Sequence, residues 1–133
     1  MLEEKIEEYR LEDQLILKGN VDHAYRYYSD YAFLVLPSYR EGLPLVLLEA
    51  LELGLPMVSF DIETGPNEII EDGKNGYLIP PYDLEQMGQR MTELMEDVSR
   101  RKAFSTYEGN KDKFSKNTIL KQWIRLIEGL HEK

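Results

Sequence analysis

The chain has 133 residues, 42% hydrophobic and 31% charged, a length and mix that fit one globular domain and exclude fibrous or disordered classes. Its 25 acids against 16 bases leave a net charge of −9, a poor surface for nonspecific contact with nucleic acid or anionic lipid. The absence of cysteine excludes disulfides, zinc ribbons and thiol nucleophiles.

No apolar run approaches the ~18 residues of a membrane span. The longest runs from Ala32 to Leu36. The opening MLEEKIEEYR is acidic and amphipathic, unlike a secretion leader, so the default address is the cytoplasm. Leu2, Ile6 and Tyr9 share one helical face and predict a helix there. Leu15-Ile16-Leu17 predicts a short strand ending before Gly19, and Asp22 predicts the cap of a short helix to about Ser29. Phe33 to Leu36 predicts a buried strand stopped by Pro37. After the loop Ser38 to Gly42, Pro44 opens a helix and Gly54 closes it. Leu45, Val46, Leu47, Leu48, Ala50, Leu51 and Leu53 cover nearly every face of that helix, which predicts burial all round.

Met57 to Phe60 predicts a third strand, Gly65-Pro66-Asn67-Glu68 a helix start, and Tyr77 to Ile79 a fourth strand stopped by two prolines. Asp83 predicts the cap of a long helix with Leu84, Met87, Met91, Leu94 and Val98 on one face. A short helix around Phe104 follows. A last helix capped by Ser115 carries Ile119, Trp123, Ile127 and Leu130 as its stripe. Short apolar runs alternating with helical patterns predict an α/β class with a mostly parallel sheet of about four strands.

Chemistry concentrates between Pro37 and Gly54. In an open α/β sheet a ligand sits outside the carboxyl ends of the strands. Gly42 lets backbone approach such a ligand, and the free N–H groups of a helix start attract a phosphate. Glu49 stands in an otherwise apolar helix, and a buried carboxylate needs donors, which sugar hydroxyls supply. Glu41 precedes it by eight residues, and about 7–8 Å of helix separates Pro44 from Glu49 at ~1.5 Å per residue. Acid, phosphate-sized site, acid: the spacing suits a sugar nucleotide. By spacing alone, two solvent-facing glutamates read the same way. His23 and His131 lack any ligand pattern. Arg40 fits a phosphate contact or a surface ion pair, and Tyr25, Tyr27, Tyr28 and Tyr31 fit base stacking or helix packing.

The text PSYREGLPLVLLEALELGLPMVSF, followed by GPNEIIEDGKNGYLIPPYD, closely resembles the C-terminal, donor-binding domain of retaining glycosyltransferases of the GT-B fold, glycosyltransferase family 4, with its E-x7-E motif. LEDQLILKGNVD and KFSKNTILKQWIRLIEGL match more loosely, so the resemblance spans nearly all of residues 1–133. It implies a Rossmann-like sheet flanked by helices, an incomplete C-terminal half of a GT-B fold. It implies that Glu41 holds hydroxyls of the donor hexose, near the reacting sugar. Glu49 then holds the ribose, and Gly42, Leu43, Pro44 and Leu45 bind the donor diphosphate and sugar. Gly19-Asn20-Val21 would pass the nucleotide base. The implied reaction moves a hexose, with retention, from a nucleotide diphosphate, commonly UDP, to a sugar or polymer hydroxyl. The GPNEII form resembles enzymes acting on lipopolysaccharide, teichoic or capsular polymers. No metal or other cofactor is implied.

Against that pattern the acceptor-binding N-terminal domain and the first two donor-domain strands are missing, and with them the basic residues that clamp the diphosphate. The expectation is a piece of a longer cytoplasmic enzyme, at the inner membrane face in its parent, and inactive alone. The alternative is a non-catalytic remnant or interaction module. Leu15 to Lys18 would lose its neighbouring strands, and such an edge favours pairing with Phe33 to Leu36 or self-association.

Overall fold

A computed structural model of the chain describes residues 1–131. Strands β1 (Leu34–Leu36), β2 (Met57–Phe60) and β3 (Gly76–Ile79) form one parallel sheet in that spatial order. Val35 lies opposite Val58, and Val58 opposite Tyr77. Side chains alternate across the pleat. Leu34, Leu36, Met57 and Leu78 therefore face one layer, packed with Leu47, Ala50 and Leu51 of α2 (Leu45–Leu53) and Ile69 of α3 (Pro66–Ile69). Val35, Val58, Phe60, Tyr77 and Ile79 face the other, packed with Met87 and Leu94 of α4 (Leu84–Glu96) and Phe104 of α5 (Val98–Ser105). All four residues of β2 are buried because both faces are covered, the usual state of a parallel sheet. The result is a three-layer, Rossmann-like arrangement.

Local chemistry sets the boundaries. Gly54 ends α2 in the left-handed region at φ +66°, which glycine adopts without a Cβ penalty. The Asp83 carboxylate accepts from the Gln86 N–H at 2.9 Å and starts α4. The Asp97 carboxylate accepts from the Arg100 N–H at 2.8 Å and starts α5. Ser115 accepts from the Thr118 N–H at 3.2 Å ahead of α6 (Lys116–His131). At the other end α1 spans Leu2–Glu8.

The structure corrects several expectations. Leu15 to Lys18 is not a strand, so the sheet has three strands and not four. No described strand lies beside this segment to exchange backbone bonds, and Leu15, Ile16 and Leu17 are exposed. The helix expected from Asp22 is a 3-10 helix, Ala24–Asp30, with His23 before it at φ +54°. Helix α2 buries Leu47, Ala50 and Leu51, but Leu45, Val46 and Leu53 are exposed because one face alone meets the sheet. Val98 leaves the stripe of α4 because Asp97 breaks the helix and caps the next one. On α6, Ile119, Trp123, Ile127 and Leu130 lie exposed, so the expected stripe exists and is bare.

The two outer edges of the sheet differ. In a parallel strand alternate residues turn both backbone groups to the same side. On the outer side of β3, Gly76 O accepts from the Gly73 N–H at 2.9 Å, and the Leu78 N–H donates to the Asp72 carboxylate at 2.9 Å. In β1 the Leu34 N–H donates inward to Pro56 O at 2.8 Å. Val35 turns outward and finds no backbone partner among the described residues. It faces a cavity of about 650 Å³ lined by Lys18, Val21, Tyr27, Tyr28 and Tyr31.

Candidate functional site

Beyond the carboxyl end of β1 the chain runs through Pro37 to Pro44 and enters α2. Pro44 caps α2 without any side-chain hydrogen bond. The first amides of the helix, at Leu45 and Val46, therefore have no backbone or side-chain acceptor among the described residues, and they offer an anion two donors at the positive end of the helix dipole. Pro44 is buried, Gly42, Leu43 and Leu45 are exposed, and Glu41 is half-buried. The Glu41 carboxylate makes no hydrogen bond or ion pair among the described residues, so its oxygens are available as acceptors.

A second loop fixes the first. The Thr64 hydroxyl donates to the Glu41 carbonyl at 2.6 Å. Gly65 sits at φ +98°, where a Cβ would come within 2.5 Å of the Pro44 ring and 3.0 Å of the Gly42 carbonyl. Only glycine brings the two loops this close. Behind them Tyr39 stacks on buried Phe60 with ring centroids 5.5 Å apart, and on Tyr82 at 4.5 Å. The loop after β1 is thus braced by the loops after β2 and β3.

Glu49 lies just over one turn into α2 and is half-buried. One of its oxygens accepts a hydrogen bond from the Tyr28 hydroxyl at 3.2 Å. Tyr28 belongs to the 3-10 helix, and its ring is buried in the layer formed by α2 and α3. Burial first, and then the neighbouring Glu49 carboxylate, push the Tyr28 hydroxyl above its ordinary range, so it stays a donor through neutral pH. Glu49 also borders a shallow cavity of about 1060 Å³ shared with Tyr25, Glu52 and Lys111.

The structure thus brings Glu41, Gly42, Leu43, Pro44 and Leu45 together at one sheet end, with Glu49 on the helix that follows. Gly19, Asn20 and Val21 stand elsewhere. Gly19 turns at φ +63°, Asn20 is exposed, and Val21 lines the cavity on the outer edge of β1, a set of residues that includes neither Glu41 nor Glu49. Of the four tyrosines only Tyr28 is buried, while Tyr25, Tyr27 and Tyr31 are exposed. Arg40 is exposed and makes no ion pair among the described residues. The His23 ring lies edge-on to the Tyr25 ring, and the side chain of His131 lies outside the described residues. Sequence reasoning missed the bond between Tyr28 and Glu49 and the brace from Thr64. Neither has a spacing rule: the partners are 21 and 23 residues apart.

Comparison with known proteins follows the same lines. The chain is 37% identical over 123 residues to an exopolysaccharide phosphotransferase of Streptomyces coelicolor, covering 90% of this chain and 13% of that protein. It is 31% identical over 132 residues to the poly(glycerol-phosphate) alpha-glucosyltransferase of Bacillus subtilis, covering 98% of this chain and 20% of that one. Its fold superposes with a TM-score of 0.87, at 32% identity, on the crystal structure of a mutant of S. aureus TarM in complex with Fondaparinux, alpha-GlcNAc-glycerol and UDP. That match covers 94% of this chain and 26% of TarM. The chain therefore spans about an eighth to a quarter of these relatives' lengths. The profile of the family Glycosyl transferases group 1 matches residues 1–111. With that match, and with the parallel sheet and loop geometry described above, the chain belongs to the group 1 glycosyl transferases, as part of the C-terminal domain of their GT-B fold.

Proposed function

We propose that this chain is the donor-binding part of a retaining enzyme that moves a hexose from a nucleotide-diphosphate sugar, most simply UDP-linked, to a sugar or polymer hydroxyl. The observation that carries the reading is the order of groups along one sheet end: the free Glu41 carboxylate, the uncapped amides of α2, then Glu49. Glu41 accepts from hydroxyls of the donor hexose. The amides of Leu45 and Val46, with Gly42 and Leu43 beside them, face the diphosphate. Glu49 accepts from the ribose, and Gly19 to Val21 pass the base. The UDP bound to TarM and the glucosyl transfer named for the Bacillus subtilis relative support the choice of ligand class.

In this reading the basic groups that stabilise the departing diphosphate lie in the remainder of a longer parent enzyme, together with the acceptor site. Charge stabilisation of a leaving group is usually a large catalytic term. The 133 residues alone should therefore show no transfer. They should bind UDP with a Kd in about the millimolar range, roughly 4 kcal/mol, and self-associate at high concentration through the bare α6 stripe or the residue 15–18 segment. No metal is assigned, and a cytoplasmic address belongs to the same proposal.

Titration of the parent enzyme with a panel of nucleotide sugars tests the reading. Glu49→Ala should chiefly raise the donor KM and Glu41→Ala should lower kcat. Each charged hydrogen bond lost is worth about 1.5–3 kcal/mol, or about 10- to 150-fold. Wild-type kinetics in both variants would refute the assignment.

A further inference from the structure

We propose that Tyr28 is a positioning residue for the nucleotide: it holds one carboxylate oxygen of Glu49 so that the other meets the ribose in a fixed orientation. The inference rests on the donor reading above and adds a residue to it. Three features carry it. The Tyr28 hydroxyl donates to Glu49 Oε2 at 3.2 Å, the only partner that the Glu49 side chain has among the described residues. Its ring is buried in the cluster with Leu47, Leu51 and Leu55, so packing restricts the anchor more than it restricts a glutamate on a half-exposed helix face. Tyr28 also lines the cavity that contains Val21, and so stands between the segment assigned to the base and the acid assigned to the ribose.

A carboxylate has about four acceptor positions. Tyr28 occupies one and leaves Oε1 free for sugar hydroxyls. A glutamate without that anchor samples several rotamers and meets the ribose in only some of them. The bond is therefore read out as discrimination between a ribose with its hydroxyls and one without.

The test compares UDP with 2′,3′-dideoxy-UDP and inorganic pyrophosphate on this chain, with dissociation constants from NMR shift titrations. The wild type should bind UDP about 5-fold more tightly than the dideoxy analogue, a modest value for a partly exposed hydrogen-bonded site. Tyr28→Phe keeps the ring and removes only the hydroxyl. It should cut that ratio to about 2-fold and leave pyrophosphate binding unchanged. A variant that merely loosens the fold weakens UDP and its dideoxy analogue alike, so an unchanged ratio overturns the proposal. A larger ratio also overturns it, since Tyr28 would then compete with the ribose. Glu49→Ala is the separate control. If it abolishes the ratio while Tyr28→Phe keeps it, the ribose reading stands and the positioning role falls. If Glu49→Ala leaves the ratio intact, or the wild type shows none, the ribose reading of Glu49 fails and the Tyr28 proposal fails with it.

Discussion

The sheet ends differently at its two margins. At β3 the turn residues Asp72 and Gly73 fold back and bond the outward Leu78 N–H and Gly76 carbonyl. At β1 the outward groups of Val35 face a cavity whose far wall is Lys18, Val21 and the exposed tyrosines. A margin closed by its own turn needs no further strand. A margin that presents free backbone groups to an apolar hollow is a place where more sheet fits. The sheet is thus bonded on one side and open on the other, and the loop that carries Glu41 leaves the carboxyl end of β1, the strand on the open side.

The contrast can be tested by substitution, read as changes in unfolding free energy from urea titration. Phe60→Ala, under Tyr39 and in the layer shared with α4 and α5, should cost about 3–5 kcal/mol. A loss below about 1 kcal/mol would mean that this layer, which backs the central strand, is not the core on which both margins rest.

Glu93→Ala comes next. Glu93 accepts from the buried Tyr77 hydroxyl and pairs with Arg90 at 2.7 Å. Removing it leaves that hydroxyl without an acceptor, with only the Arg100 guanidinium still donating to it at 3.3 Å, and should cost about 1–3 kcal/mol. The Tyr77 hydrogen bond first, and then Arg90, hold the Glu93 carboxyl below its usual range. Its contribution is therefore fully present above the unfolded-state value near ~4.3 and is lost as pH falls through the lower folded value. The wild type should lose more stability on acidification through this window than Glu93→Gln does. Equal slopes would remove Glu93 from the account.

Asp72→Ala unmakes the closed margin alone. It should cost about 0.5–1.5 kcal/mol, one hydrogen bond to the Leu78 N–H, and it should speed amide exchange at Leu78. Leu17→Ala, on the open side, should change stability by no more than about 0.5 kcal/mol because its side chain is half exposed with no strand beside it. A cost above about 1.5 kcal/mol would show that the open side packs after all.

What the sequence made legible follows the same division. The strands 33–36, 57–60 and 77–79 were readable because both faces of a parallel strand are apolar, and Pro37 and Pro80-Pro81 punctuate them. The caps at Asp83 and Ser115, and the proline and glycine that bound α2, act within one turn of the chain, and local chemistry suffices for them. Leu15-Ile16-Leu17 misled because β propensity says nothing of whether a neighbour is present to pair with. The exposed Leu45 and Leu53 misled because periodicity assumes that every apolar face finds cover. In the site, Glu41 and Gly42 stood out by type and spacing. The partner of Glu49 did not, because a tyrosine 21 residues away reaches it through the fold.

Trp123 is the one tryptophan in the chain, and it stands on the bare face of α6 at 59% exposure, away from both buried layers. Its indole is already solvated in the native state, so its emission should sit near the red limit and move little when the core melts. Intrinsic tryptophan fluorescence would then be nearly silent to unfolding, and circular dichroism or tyrosine absorbance would have to follow it. The same silence makes Trp123 a clean optical probe: a blue shift of its emission signals that something has come to cover α6.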